Sequence, residues 1–152
     1  MRVTFLGVGA ALDEQRPTAA ILVQGPNLLL DCGYDAPAQV WKHNPQPDFL
    51  DGIYVSHQHA DHSFGIPALL YRMTSDGRTK PLTILGLPGT KKHIQQLIAL
   101  SYPDMPKTYP LRFLEIARRA KWNGFTLEIA KSRHPVPNGA LKLSDGSRQS
   151  TR

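Results

Sequence analysis

The chain has 152 residues, 41% of them hydrophobic, one cysteine, and 18 basic against 12 acidic side chains for a formal net charge of +6. That length allows one domain with a modest core, and no apolar run approaches the length that crosses a membrane. The basic excess favours phosphate-bearing partners, but the Lys and Arg residues are scattered along the sequence, read equally as solvated helix faces and loops, and come with no RNA-recognition aromatic motif or helix-turn-helix pattern.

Arg2 to Leu6 reads as a strand, and Gly7 and Gly9 make a flexible turn after it. This is not a dinucleotide fingerprint, because a third glycine and a following helix are missing. The chain enters this strand without a signal-peptide pattern, so a cytoplasmic location is expected, and the lone cysteine agrees with it. Residues 19–24 and 28–31 read as two strands of a hairpin joined by Gln24-Gly25-Pro26-Asn27. Asp35 is placed to cap a short helix running to about Lys42, with Pro37 tolerated in its first turn. His43 to Pro47 breaks the chain. Residues 52–56 form a short buried strand, and 64–73 read as a helix that ends before Ser75-Asp76-Gly77. Leu82 to Leu87 is a further strand. Pro88-Gly89-Thr90 opens a helix with Ile94, Leu97, Ile98 and Leu100 on or near one face, and Tyr102 to Pro106 ends it. Leu111–Ile116, Phe125–Ala130 and Ala140–Leu143 complete the strands, with Ser144-Asp145-Gly146-Ser147 as a polar turn. Strands alternating with helices indicate an α/β class. Without repeats or long linkers, residues 1–152 are expected to form a single domain.

The chemistry concentrates between the strand at 52–56 and the helix after it, in His57-Gln58-His59-Ala60-Asp61-His62. Imidazole and carboxylate are the donors that zinc and related divalent metals accept. Alternate residues of an extended segment point the same way, so His57 and His59 can reach one ion together. Asp61 and His62 follow once the chain has turned, and they suit a second ion beside the first. Two ions about 3.5–4 Å apart can clamp the entering and leaving oxygens of a displacement. A closed structural zinc site would draw on cysteine and fill four positions. The chain offers only Cys32, which reads as a small buried residue, so an open, catalytic site is favoured. His134 becomes a candidate through its place after the strand 125–130 and before Pro-Val-Pro-Asn. His43, in a Pro-rich loop, and His93, on a charged helix start, read as solvent-facing.

At His57, His59, Asp61 and His62 the sequence resembles the metallo-β-lactamase superfamily, whose defining motif is His-X-His-X-Asp-His. The resemblance extends to Val3-Thr4-Phe5-Leu6-Gly7-Val8-Gly9-Ala10, which looks like the first strand and turn of the ribonuclease Z-like and related phosphodiesterase branches. Leu28-Leu29-Leu30-Asp31-Cys32-Gly33 matches the segment that carries a buried Asp beneath the metal loop. Arg133-His134-Pro135-Val136-Pro137-Asn138 resembles the segment that supplies the third His. The resemblance implies an αββα sandwich and a hydrolase with one or two metal ions, usually zinc, with manganese or iron as alternatives. It assigns His57, His59 and His134 to the first metal, Asp61 and His62 to the second, and to Asp31 the positioning of the metal loop by hydrogen bonds. Asp61 would also act in catalysis, orienting a metal-bound hydroxide or accepting its proton. The implied substrates are phosphodiesters, either RNA or a small cyclic or linear phosphodiester. Thioesters and lactones, used by other branches, stay open as substrates, while the missing export signal argues against a secreted antibiotic-degrading enzyme.

After His134 the sequence departs from the pattern. Asp145 falls in a turn where the family has a hairpin before its metal-bridging Asp, and no later His follows. The resemblance therefore covers about the first two-thirds of the family's domain. The expectation is an incomplete, C-terminally truncated sandwich with an apolar sheet face that a homo-oligomer would cover. The alternative to an active hydrolase is a catalytically impaired fragment or a non-catalytic metal-binding or interaction module.

Overall fold

A computed structural model describes residues 1–145. Six strands form a mixed sheet in the order β1 (Arg2–Gly7), β2 (Ala20–Gln24), β3 (Leu28–Leu30), β4 (Gly52–Val55), β5 (Leu82–Gly86), β6 (Leu111–Glu115). The first three are antiparallel, and β3 through β6 run parallel. The connections carry α1 (Ala36–His43), α2 (Ala60–Ser63), α3 (Ile66–Ser75) and α4 (Thr90–Ser101). A second, antiparallel sheet follows from β7 (Arg119–Trp122), β8 (Phe125–Lys131) and β9 (Gly139–Asp145).

The period of two in a strand decides where each residue goes. Leu29 on β3, and Ile53 and Val55 on β4, face the helices, where they meet Val40, Ile66, Leu69, Leu70, Met73 and Ile94. Leu28 and Tyr54 point the other way, onto Trp122, Leu127 and Ile129 of the second sheet. Central strands buried on both faces therefore read as continuous apolar runs. Burying each Leu or Ile side chain stabilises the fold by roughly 1.5–3 kcal/mol. The described residues thus form helix, sheet and sheet layers, the αββ part of the αββα sandwich expected from the sequence.

Several expectations need correction. The metal loop contains its own short helix, α2, and α3 starts at Ile66 rather than at Phe64. β7 was not anticipated: Arg119 and Lys121 alternate with Ala120 and Trp122, a strand pattern too short to stand out among charges. β9 extends to Asp145, which pairs with Phe125, so Asp145 ends a strand instead of sitting in a turn; Gly146 and Ser147 lie outside the described residues. Asp35 stands at the N-cap of α1 but does not cap it. Its carboxylate instead accepts from the backbone N–H of Thr18 at 2.9 Å and from the Thr18 hydroxyl. Leu100 is 83% exposed and leaves the apolar face of α4 to Ile94, Leu97 and Ile98. Arg78, grouped above with solvated cations, is 1% exposed.

Candidate metal centre

The metal loop leaves β4 at Val55, at the end of the parallel strands, where side chains from several connections converge. His57 is buried and His134 is exposed. One nitrogen from each of His57, His59 and His134 lies within 4.8 Å of the others. Their rings meet edge to face, with centroids 4.4 Å apart for His57 and His134 and 4.9 Å for His59 and His134. The His62 ring lies 4.1 Å from that of His57. Sequence neighbours on one loop thus meet a residue about 75 positions away.

His134 reaches this point because its loop is tied to β4. Gly139 N–H donates to Ser56 O at 3.0 Å, and Tyr54 Oη–H donates to Gly139 O at 2.8 Å. A Cβ at Gly139 would come within 2.8 Å of both Tyr54 Oη and Ile129 Cγ2, so only glycine permits the approach. Ser132 Oγ–H donates to Asn138 Oδ1 and closes the loop on itself, and the Asn138 amide stands 3.1 Å from His57 Nδ1.

Asp31 organises the other side. It is 9% exposed and sits at the end of β3. Its Oδ1 accepts from Ser56 N–H at 2.7 Å, and its Oδ2 accepts from the Ser56 hydroxyl at 2.7 Å and from His62 Nδ1 at 2.7 Å. Because the Ser56 hydroxyl donates to Asp31, it turns a lone pair towards His57 Nδ1, 2.9 Å away. An Nδ1–H on His62 satisfies its contact with Asp31, so Nε2 is the His62 nitrogen that faces away from Asp31. His62 Nε2 lies 3.2 Å from Asp61 Oδ2, so these two donors face each other as a pair.

The electrostatics separate the two histidines. Burial, helped by the nearby His62 and His134, pushes the His57 pKa down to about 4 against the opposing pull of Asp31, so His57 is neutral at pH 7. Burial also opposes charge on His62, but the hydrogen bond and charge of Asp31, with the charge of Asp61, outweigh it and raise that pKa. Cys32 lies beneath the loop, fully buried. Burial and the charges of Asp31 and Asp35 push its thiol far up, so it is no nucleophile.

Three imidazoles from two separate loops, with His57 neutral at pH 7 and seated on the Asp31–Ser56 network, fit a zinc-class ion and leave an open position. Among the described residues this is the group of three or more donors that could hold a metal, whereas Asp61 and His62 form only a pair. Sequence reasoning missed Ser56, Asn138, Ser63 and His93. Ser56 and Asn138 flank candidate ligands, which was the available signal. His93 is half-buried rather than solvent-facing, and its Nε2 lies 2.9 Å from Ser63 Oγ. His43 is exposed, as expected.

Residues 1–146 match the family model described as anti-Pycsar protein Apyc1. The ribonuclease Z of Methanococcus maripaludis is 34% identical over 123 residues, which is 79% of this chain and 39% of that protein. The human short-form tRNase Z superposes with a TM-score of 0.78 at 23% identity, covering 96% of this chain and 66% of that one, a likeness of fold. The metallo-β-lactamase fold protein YhfI of Bacillus subtilis gives a TM-score of 0.72 at 26% identity, over 95% of this chain and 58% of that one. The chain thus spans about 38% to 50% of the length of these curated relatives.

Proposed function

The chain belongs to the anti-Pycsar protein Apyc1 family, within the ribonuclease Z-like metallo-β-lactamase superfamily, and on that premise we propose that it is a metal-dependent phosphodiester hydrolase. The observation that carries this proposal is the convergence of His57, His59 and His134 within 4.8 Å above the Asp31–Ser56 network. These three histidines would hold the first ion, and Asp61 with His62 would contribute to a second. A zinc-class ion bound there would supply a Lewis acid and lower the pKa of a bound water to near neutrality; manganese or iron would suit the same donors less selectively.

The rest of the work falls to the protein. Asp31 holds the metal loop in register by its three hydrogen bonds and sets which nitrogen of His62 faces away from it. Asp61, half-buried beside His62, is the carboxylate positioned to orient an attacking water and to accept its proton.

The partner is a phosphate-bearing molecule, either RNA, as for the ribonuclease Z relatives, or a small cyclic or linear phosphodiester. The charge distribution supports this. Residues 1–115 carry ten basic and ten acidic side chains, whereas residues 116–145 carry six basic and two acidic. Those six, Arg118, Arg119, Lys121, Lys131, Arg133 and Lys142, are all exposed and lie on the strands and loops of the second sheet, which also brings His134 to the centre. The basic residues that look scattered in sequence therefore give most of the net charge to one sheet, where a phosphate gains from it. No helix among the described residues is long and apolar enough to cross a membrane. The free, buried Cys32 suits a reducing compartment such as the cytoplasm.

The non-catalytic alternative is favoured by one observation, the pairing of Asp61 with His62 without a third donor among the described residues. Hydrolysis of bis(p-nitrophenyl) phosphate, with RNA and a cyclic nucleotide as further substrates, separates the two. Turnover that falls at least about a hundredfold in His59→Ala, as expected when a ligand to a catalytic ion is removed, supports the hydrolase. A metal-loaded wild type without turnover on any of the three contradicts it.

A further inference from the structure

Ser63 lies fully buried on α2, and its hydroxyl has three polar neighbours. These are the carbonyl oxygens of His59 at 3.0 Å and Gln58 at 3.3 Å, and Nε2 of His93 at 2.9 Å. A hydroxyl has one hydrogen to donate, and the carbonyls can only accept. The Ser63 hydrogen therefore goes to the carbonyls, and a lone pair is left facing His93. His93 Nε2–H completes the arrangement as donor. Burial lowers the His93 pKa, which agrees with a neutral ring carrying one N–H.

A serine bonding back to the carbonyl four residues earlier is ordinary in a helix and calls for no second residue. A histidine brought in from 30 positions away does not follow from it. His93 stands in the first turn of α4, and that turn is fixed. Gly89 N–H and Lys91 N–H both donate to Glu115 Oε1, at 2.8 and 3.0 Å, which ties the helix start to the end of β6. The Gln58 side chain lies against Gly89, where a Cβ would come 3.6 Å from Gln58 Nε2, and the Phe64 ring lies 6.5 Å from that of His93. The start of α4 therefore docks on the metal loop from Gln58 to Phe64.

We propose that His93, acting through Ser63, is a positioning residue of the metal centre: it latches α4 to the Gln58 and His59 carbonyls and holds His59 where it meets His57 and His134. The inference rests on the assignment of those three histidines as metal ligands. Without the latch, the backbone between two ligands loses its outside anchor, and His59 must be ordered at the moment of binding. The cost then appears in metal affinity, not in the stability of the metal-free fold.

The test uses cobalt(II) as the probe, titrated into the full chain against a chelator and followed by visible absorption, beside thermal unfolding of the metal-free protein. His93→Phe keeps a ring and removes the N–H. His93→Gln returns an N–H donor near the Nε2 position. His93→Phe is expected to weaken cobalt binding about tenfold, at the low end of the effect of outer hydrogen-bond partners, with its visible spectrum altered and the metal-free unfolding temperature unchanged. His93→Gln is expected to recover most of the affinity. Ser63→Ala is expected to match His93→Phe, and the double variant to be no worse than either single one; this pair serves if one variant folds poorly. Wild-type cobalt affinity in His93→Phe overturns the latch alone. Equal losses in His93→Phe and His93→Gln, with a lowered unfolding temperature, also overturn it by showing a packing role. A wild type that takes up no cobalt contradicts the metal centre, and the latch falls with it.

Discussion

Asp31 adopts a left-handed backbone conformation with φ 59°, which costs a non-glycine residue about 1–3 kcal/mol. The conformation persists because it turns the carboxylate under the metal loop, where three donors reach it. The same geometry sets which nitrogen of His62 faces Asp31 and which faces Asp61. Asp31→Ala should therefore weaken zinc binding about ten- to a hundredfold, measured by competition with a chromophoric chelator. Asp31→Asn, which keeps the shape and one acceptor, should lose less. An unchanged affinity in Asp31→Ala would show that the loop holds its form unaided. His57, His59, Asp61 and His62 stand out as candidates because the motif is dense and follows a strand, whereas His134 is picked out by its place after a strand and Asp31 only by the family resemblance. Ser56 and His93 do not stand out, since a lone Ser or His carries no partner information until the fold sets it beside another chain segment.

At the scale of elements, the delivery of the metal loop depends on β4 being held at its other end. Arg78 does this from a buried position. Its guanidinium donates to the carbonyls of Lys80, Pro47, Leu50 and Pro81 at 2.6–2.9 Å and lies 5.2 Å over the Tyr109 ring. It thereby joins the segment before β4 to the segment before β5. Arg78→Met fills the space but leaves several carbonyls without a donor. At about 1–3 kcal/mol for each buried unsatisfied group, partly relieved by water, the loss of stability should be roughly 3–5 kcal/mol. Urea unfolding of the metal-free protein measures it, and a loss below about 1 kcal/mol would contradict the clamp. The strands β1 to β6 and the three longer helices were readable from apolar periodicity to within two residues. β7 was hidden because four residues give too little periodicity, and Arg78 because a cation in a polar stretch looks solvated whatever it touches.

At the scale of the whole fold, the described residues place a six-stranded sheet against a three-stranded one. Val3 and Phe5 pair in register with Val23 and Ile21, on the face that the second sheet covers further along, yet they are 52% and 66% exposed. An uncovered apolar strip of this kind favours self-association. Sedimentation velocity over a range of concentrations should show an oligomer that Phe5→Glu shifts to monomer. A wild type that stays monomeric throughout would argue against that contact. The strip was expected from the sequence as an incomplete sandwich. Its position was not, because the second sheet's reach depends on register and not on composition.

Elemental analysis of metal in the purified chain, beside His134→Ala, bears most directly on the metal centre. With three protein ligands and an open position as in catalytic zinc sites, the wild type should hold at least about one zinc-class ion per chain. His134→Ala should lose most of it while remaining folded. A folded wild type that retains no metal after equilibration with zinc, or a His134→Ala variant that retains as much as the wild type, would contradict the assignment of His57, His59 and His134 as the ligands of this protein.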